Sequence, residues 1–181
     1  MPNDFVVIPV IVSPEGSVSP LNTVYEVGDI AILECSSIGG PGNLFQWEMN
    51  GLFVGNDGVL SLEGINASHG GTYTCIISNA AGNNSVSTAL YVAPYIDSPL
   101  EEETLAVNGS SVNITCNAAG FPVPKVMWID SHGSDISNTS LLELSPVLFG
   151  DEGTYYCVAS TEINNTRFTA TNETTLIGNF N

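Results

Sequence analysis

The chain is expected to be all-β, folded as two β-sandwiches in tandem. Three observations predict this. Apolar residues fall in short alternating runs broken by Gly, Pro, Asn and Ser, and no stretch holds a 3.6-residue apolar period over three turns. A four-part pattern occurs twice: Cys35, Trp47, Tyr73 and Cys75 are matched by Cys116, Trp128, Tyr155 and Cys157, with 12 residues from Cys to Trp in both copies. The copies are offset by about 81 positions in 181 residues, which divides the chain into two domains of about 90 rather than one.

The elements follow in order. In the first copy Ile30, Ile32 and Leu33 lead into Cys35 on a core strand, and Leu44 to Met49 carries Trp47 on the next. Asn50-Gly51 is a two-residue hairpin turn into Leu52-Phe53-Val54, because both positions require positive φ that Asn and Gly tolerate. Val59 to Leu62, Thr72 to Ser78 and Ser85 to Val92 complete the set, with a turn at residues 80–84. In the second copy Val112, Ile114 and Cys116 share one face, as do Val126 and Trp128. Leu142 and Leu144, then Tyr155 and Cys157, then Phe168 to Leu176 supply the remaining strands. Residues 5–12 read as an apolar edge strand interrupted by Pro9. The domain boundary is placed between 1–93 and 94–181, in a linker at 92–96 with two or three residues free of strand, stiffened by Pro94.

Composition sets the compartment and the partners. Four cysteines in two matched pairs argue for an oxidising environment. Asn-x-Ser/Thr sequons begin at Asn66, Asn83, Asn108, Asn113, Asn138, Asn164 and Asn172, against roughly three expected by chance from the Asn, Ser and Thr content. These seven are the candidate glycosylation sites, and Asn113 has odd parity with Cys116, so its side chain points away from the core. Nineteen acids face only Lys125 and Arg167, for a formal net charge of −17. Like-charge repulsion excludes nucleic acid, heparin and anionic lipid as partners and permits a protein ligand, a basic one among them, divalent cations, or self-association in a high-salt setting that screens the repulsion. There is no leader and no apolar run of 18 or more residues, so the chain is expected to be an ectodomain fragment whose membrane attachment lies in other parts of a longer protein.

The motifs resemble the immunoglobulin superfamily, specifically its intermediate (I-set) domains, over nearly the whole chain. Gly120-Phe121-Pro122-Val123-Pro124-Lys125-Val126-Met127-Trp128 is similar to that family's approach to its core tryptophan. Asp151-Glu152-Gly153-Thr154-Tyr155-Tyr156-Cys157 matches its corner motif, and Cys75 to Gly82 resembles its turn between the last two strands. The resemblance implies one intersheet disulfide per domain, Cys35–Cys75 and Cys116–Cys157, with Trp47 and Trp128 packed on them and Tyr73 and Tyr155 as corner tyrosines. Closing a loop of about 40 residues in this way contributes about 4 kcal/mol in the chain-entropy model. The short spans between cysteines leave no room for the two extra edge strands of a variable-type domain. Two departures stand out. His69 occupies the corner Asp position of the first domain, and the ion pair this Asp usually makes has no basic partner in either domain, so Asp151 is expected to accept backbone N–H groups instead. The second domain also lacks the Asn-x-x-Gly turn after Cys157, so its loop near Thr161 to Thr166 should differ in shape.

No catalytic residue, metal ligand set or cofactor is assigned. His69 and His132 belong to different domains, and Asp130, Ser131, His132 and Asp135 have triad residue types within one exposed loop. The cysteines lie too far apart in sequence for a zinc site, and Glu101-Glu102-Glu103 alternates sides on a strand, a poor calcium cage. The resemblance implies a non-enzymatic, ligand-binding or self-associating module on the extracellular face of the plasma membrane, in a receptor (a receptor tyrosine kinase among them) or an adhesion protein. The alternative is a secreted recognition or matrix protein; an intracellular structural module would show free thiols. The candidate interface residues are Phe5, Val7 and Ile8 in the N-terminal run and Tyr91, Tyr95 and Ile96 at the domain junction.

Overall fold

The computed structural model describes residues 10–179. The N-terminal candidates Phe5, Val7 and Ile8 lie outside the described residues. The chain forms two compact units: residues 1–65 with 71–90, and residues 66–70 with 91–181.

In the first unit β1 (Glu15–Ser19), β3 (Ile30–Ile38) and β6 (Val59–Glu63) make one antiparallel sheet. The second sheet holds β4 (Leu44–Met49), β5 (Leu52–Gly55), β7 (Gly71–Asn79) and β8 (Gly82–Ile96), in the order β8-β7-β4-β5, with the short β2 (Thr23–Tyr25) on β8. Alternation explains the layering. Along β3 Ala31, Leu33 and Cys35 are buried while Ile30, Ile32 and Glu34 face out. Trp47, Tyr73, Cys75 and Ile77 come to meet them from the other sheet. The disulfide Cys35–Cys75 joins the two sheets. The Asn50-Gly51 turn has φ of 51° and 83°, the left-handed pair its residue types favour. Residues 10–14 carry no strand, so the expected edge strand over 5–12 does not extend into the described residues; pairing begins at Glu15.

The second unit repeats the plan. β10 (Val112–Thr115) and β14 (Leu141–Leu144) pair as one sheet. Facing them is the order β13-β12-β15-β16-β9, formed by β9 (Glu103–Val107), β12 (Lys125–Asp130), β13 (Asp135–Ser137), β15 (Gly153–Ile163) and β16 (Thr166–Asn179). Cys116–Cys157 crosses between the layers, in a core that includes Trp128, Leu142, Val147, Tyr155 and Leu176. Each unit therefore has one edge strand beyond the tryptophan strand, β5 or β13, not two.

Two local features differ from the sequence reading, and a third is the difference between the final hairpins that it expected. The linker at 92–96 is not free of strand: β8 runs to Ile96, and its distal end pairs with β11 (Ala118–Phe121). Pro94 fits because the register shifts between Ala119 and Phe121, so no ladder bond is asked of its missing N–H. Gly120 sits at that shift, where a Cβ would stand 3.1 Å from Pro94 Cα. Second, the loop after Asp130 is a hairpin. Asp130 Oδ1 accepts the N–H groups of His132 and Ser134, both at 2.8 Å, and β13 then returns along β12. Chiefly the Ser134 N–H, and also that of His132, holds the Asp130 carboxyl below its ordinary value. Third, both final hairpins are two-residue turns built differently. Asn79 Oδ1 accepts from Ala81 and Gly82 in the first unit. Asn164 and Asn165 adopt φ of 51° and 63° in the second, a left-handed pair in which Asn replaces the usual Gly.

The corners carry a substitution of roles. Asp151 Oδ2 accepts the N–H of Leu148 at 2.7 Å, the backbone bond expected of it. His69 does the equivalent work in the other copy: its Nδ1 accepts the N–H of Asn66 at 3.1 Å. An imidazole nitrogen thus takes the acceptor role that a carboxylate oxygen has at the other corner. The Tyr155 hydroxyl donates to the Asp151 carbonyl at 2.9 Å. Burial first, then the charges of Asp151 and Asp130, raise its phenol above the ordinary value near 10. Tyr155→Phe is expected to lower stability by about 1 kcal/mol in urea titration at neutral pH. Wild-type tyrosine contributes its full share below the unfolded pKa and loses it as pH rises through the raised folded pKa, so the deficit should shrink in alkali.

Candidate functional site

Sheet alternation places one face of each unit toward solvent, and recognition must use those faces or the loops around them. In the first unit the outward residues of β4, β7 and β8 are Leu44, Gln46 and Glu48, then Thr74, Ile76 and Ser78, then Asn83, Ser85 and Ser87, with Phe53 on β5 opposite Glu48. In a chain with nineteen acids, this set carries only Glu48. The neutral character follows from small hydroxyl pairs such as Thr74 with Ser87, whose oxygens lie 2.9 Å apart. The carboxylate that is present is occupied: Gln46 Nε2 donates to Glu48 Oε1 at 2.9 Å.

The rim of this face is apolar. β5 ends the sheet, and its Leu52 and Phe53 are 74% and 64% exposed, with Leu44 at 70% on β4. Three consecutive apolar residues on a strand place side chains on both faces, so at a sheet edge at least one must stay in water. That was the available sequence signal, and the candidate interface residues did not include it. β5 carries no Lys, Pro or other charged residue, and although its pairing with β4 shifts register between Trp47 and Glu48, its outer row of N–H and C=O groups is a template for a further strand.

The candidate interface residues at the junction lie elsewhere. Tyr91, Tyr95 and Ile96 are half-buried on β8, and Ile96 packs against the core of the second unit. They do not form an exposed apolar patch. Of the seven sequons, Asn83, Asn108, Asn113, Asn138 and Asn164 are exposed. Asn113 faces out on β10 as its parity requires. Asn66 and Asn172 are half-buried, and their Oδ1 atoms accept backbone N–H groups from Ser68 and Glu173. Among the described residues no group of three or more His, Cys, Asp or Glu is placed to hold a metal ion, and no helix is long and apolar enough to cross a membrane.

Comparison with known proteins agrees with this architecture. The family model described as Immunoglobulin domain matches residues 9–79 and again 93–161. Hemicentin-1 of Mus musculus is 31% identical over 150 residues, which is 74% of this chain and 3% of that protein. The tyrosine-protein kinase-like otk of Drosophila willistoni is 30% identical over 149 residues, 71% of this chain and 14% of that one. The crystal structure of the N-terminal eight Ig domains of Down Syndrome Cell Adhesion Molecule superposes with a TM-score of 0.60 at 27% identity, covering 96% of this chain and 28% of that one. The chain spans only a small part of the relatives it matches. With the family pattern matched in both copies and one disulfide in each sandwich, the chain belongs to the immunoglobulin domain family, as two such domains in tandem.

Proposed function

We propose that these two domains are an extracellular recognition module of a cell-surface receptor or adhesion protein, binding another protein or a second copy of itself rather than catalysing a reaction. The observation that carries the reading is the β5 edge of the first unit, where Leu52, Phe53 and Leu44 stand exposed beside a sheet face with a single carboxylate. Two copies that meet there place few like charges against each other, whereas most other approaches bring acids together. The similarity to an adhesion molecule and to a kinase-like protein supports the same class. A receptor of the tyrosine kinase type, a plasma-membrane location and use of the exposed sequons belong to this proposal, and a basic protein would suit the acidic remainder of the surface. The similarity to hemicentin-1 leaves a secreted matrix protein as the second reading.

Self-association by this edge works against the repulsion of two chains of charge −17, which salt screens while leaving apolar contact intact. Light scattering across protein concentration at low and high salt is expected to show a dimer that grows with salt and disappears in Phe53→Asp. Dimerisation that weakens steadily with salt, or that ignores Phe53→Asp, overturns the self-association arm. A monomer throughout shifts the proposal to a separate protein ligand.

A further inference from the structure

The chain has only two basic residues, and both line one cleft. Lys125 begins β12, and Arg167 lies near the start of β16; they are far apart in sequence. Two strand registers bring them together. Lys125 stands opposite Ser160, and Glu162 stands opposite Arg167, so both cations flank the same stretch of β15. The cleft has a volume of about 340 Å³ and is lined by Val123, Lys125, Ser160, Thr161, Glu162 and Arg167. The Arg167 guanidinium extends along β15, its Nη2 donating to Ser160 Oγ at 3.4 Å.

Neither cation closes an ion pair, although Glu162 stands directly opposite Arg167. Among the described residues no carboxylate oxygen lies within 4.0 Å of Lys125 Nζ or of the Arg167 guanidinium; the one ion pair at that distance is His132 with Asp130. Glu162 is the exposed acid beside them, yet it too stays beyond that distance. With nineteen carboxylates available, a fold seeking only to neutralise two cations has ample opportunity. Here they stand on either side of β15, solvent-exposed, with the Ser160 hydroxyl on the same face.

We propose that this cleft binds a short acidic segment of a protein partner, with the Arg167 fork and Lys125 taking carboxylates and the Ser160 hydroxyl donating to a remaining oxygen. The inference rests on the reading of the chain as a protein-recognition module, whose site it extends to the second unit. Charge decides the ligand class. At physiological ionic strength charges act over about 8 Å, so the local pair governs inside the cleft while the acidic surface governs outside it. A long polyanion would reach past the two cations onto a chain that carries nineteen acids. A segment of two or three carboxylates fits within the favourable region. Val123, 82% exposed at the rim, offers an apolar contact that an inorganic anion could not use.

The test uses the oxidised, unglycosylated two-domain chain, labelled with nitrogen-15, titrated with acetyl-Glu-Glu-Glu-amide and, separately, with acetyl-Gln-Gln-Gln-amide and sodium sulfate. The Glu peptide is expected to shift amide signals of residues 123–125 and 160–167 in fast exchange, and the Gln peptide to leave them unmoved. Binding should weaken about tenfold in Lys125→Gln/Arg167→Gln, strengthen about threefold in Glu162→Gln, and fall with added salt. These surface changes leave the core untouched, and unchanged signals elsewhere verify the fold. Absence of cleft shifts, equal shifts with Gln peptide, or sulfate matching the Glu peptide overturns the proposal. The salt response separates this cleft from the β5 edge: contact through Lys125 and Arg167 weakens with salt, whereas contact through Leu52 and Phe53 strengthens. Self-association that survives the double variant while peptide binding is absent would overturn the cleft and leave the recognition reading standing. Peptide binding in a strictly monomeric protein would support the cleft and remove self-association.

Discussion

Replacing Cys116 and Cys157 together by alanine is expected to destabilise the second unit by about 4 kcal/mol while leaving the first unit folded. The bridge spans 41 residues, and releasing a loop of that length restores about 4 kcal/mol of conformational freedom to the unfolded chain. Both sulfurs belong to fully buried residues beside Trp128, so lost packing adds to the same side. A domain of about 90 residues commonly has only about 5–10 kcal/mol in hand, so the loss removes much of it. The two indole N–H groups give separate reporters, one per unit. In a urea titration followed by NMR, the Trp128 indole signal should disappear at much lower urea than in the wild type, with the Trp47 signal unmoved. Simultaneous loss of both would show that the units do not unfold independently.

How much was legible in the sequence follows from what each residue requires. Cys35, Trp47 and Cys75 were readable because a covalent bridge and a large buried ring demand fixed partners, and the demand repeats in the second copy. The Asn50-Gly51 turn was readable because it needs only local backbone freedom. The hairpin after Asp130 was not, because Asp, Ser, His and Gly have the composition of a solvated loop, and it takes the backbone N–H groups of His132 and Ser134 donating to the Asp130 carboxylate, with backbone bonds between Asp130 and residues 133 and 134, to make it a turn. The unbroken β8 was hidden by Pro94, which normally marks a break and here coincides with a shift of register on β11. His69 could be seen to replace an acid, but that its Nδ1 would accept the same corner bond depended on how the turn closes. The convergence of Lys125 and Arg167 was least accessible of all. Their distance in space is fixed by two strand registers at once, and a slip of one residue in either would move a cation to the other face. The apolar β5 edge had a local signal in Leu52-Phe53-Val54, yet whether it lay at the end of a sheet depended on which strands followed.

Trp128→Ala is expected to be the most damaging single substitution in the second unit, costing about 4 kcal/mol, and the cost should come from packing rather than from the indole hydrogen bond. The ring is fully buried against the Cys116–Cys157 bridge, and removing it opens a cavity that β12, held on both sides by β13 and β15, cannot collapse to fill. The hydrogen bond is the smaller part. Trp128 Nε1 donates to the Ser140 carbonyl at 3.2 Å, but the same oxygen also accepts the Cys116 N–H at 2.8 Å, so losing the indole does not orphan it. In the first unit Trp47 Nε1 donates to the Asp57 carbonyl at 2.9 Å, and Asp57 is exposed, so water can take the vacated position. Phenylalanine separates the two contributions, since it keeps most of the ring volume and removes the donor. Trp128→Phe and Trp47→Phe should each cost about 1–2 kcal/mol in urea titrations, well short of the alanine change. If phenylalanine were as damaging as alanine, the bond to the loop carbonyl would be the dominant interaction and the packing account would fail. If alanine cost no more than phenylalanine, with both small, the sheets would have closed over the vacated space, and the ring would be filling the sandwich rather than spacing its layers.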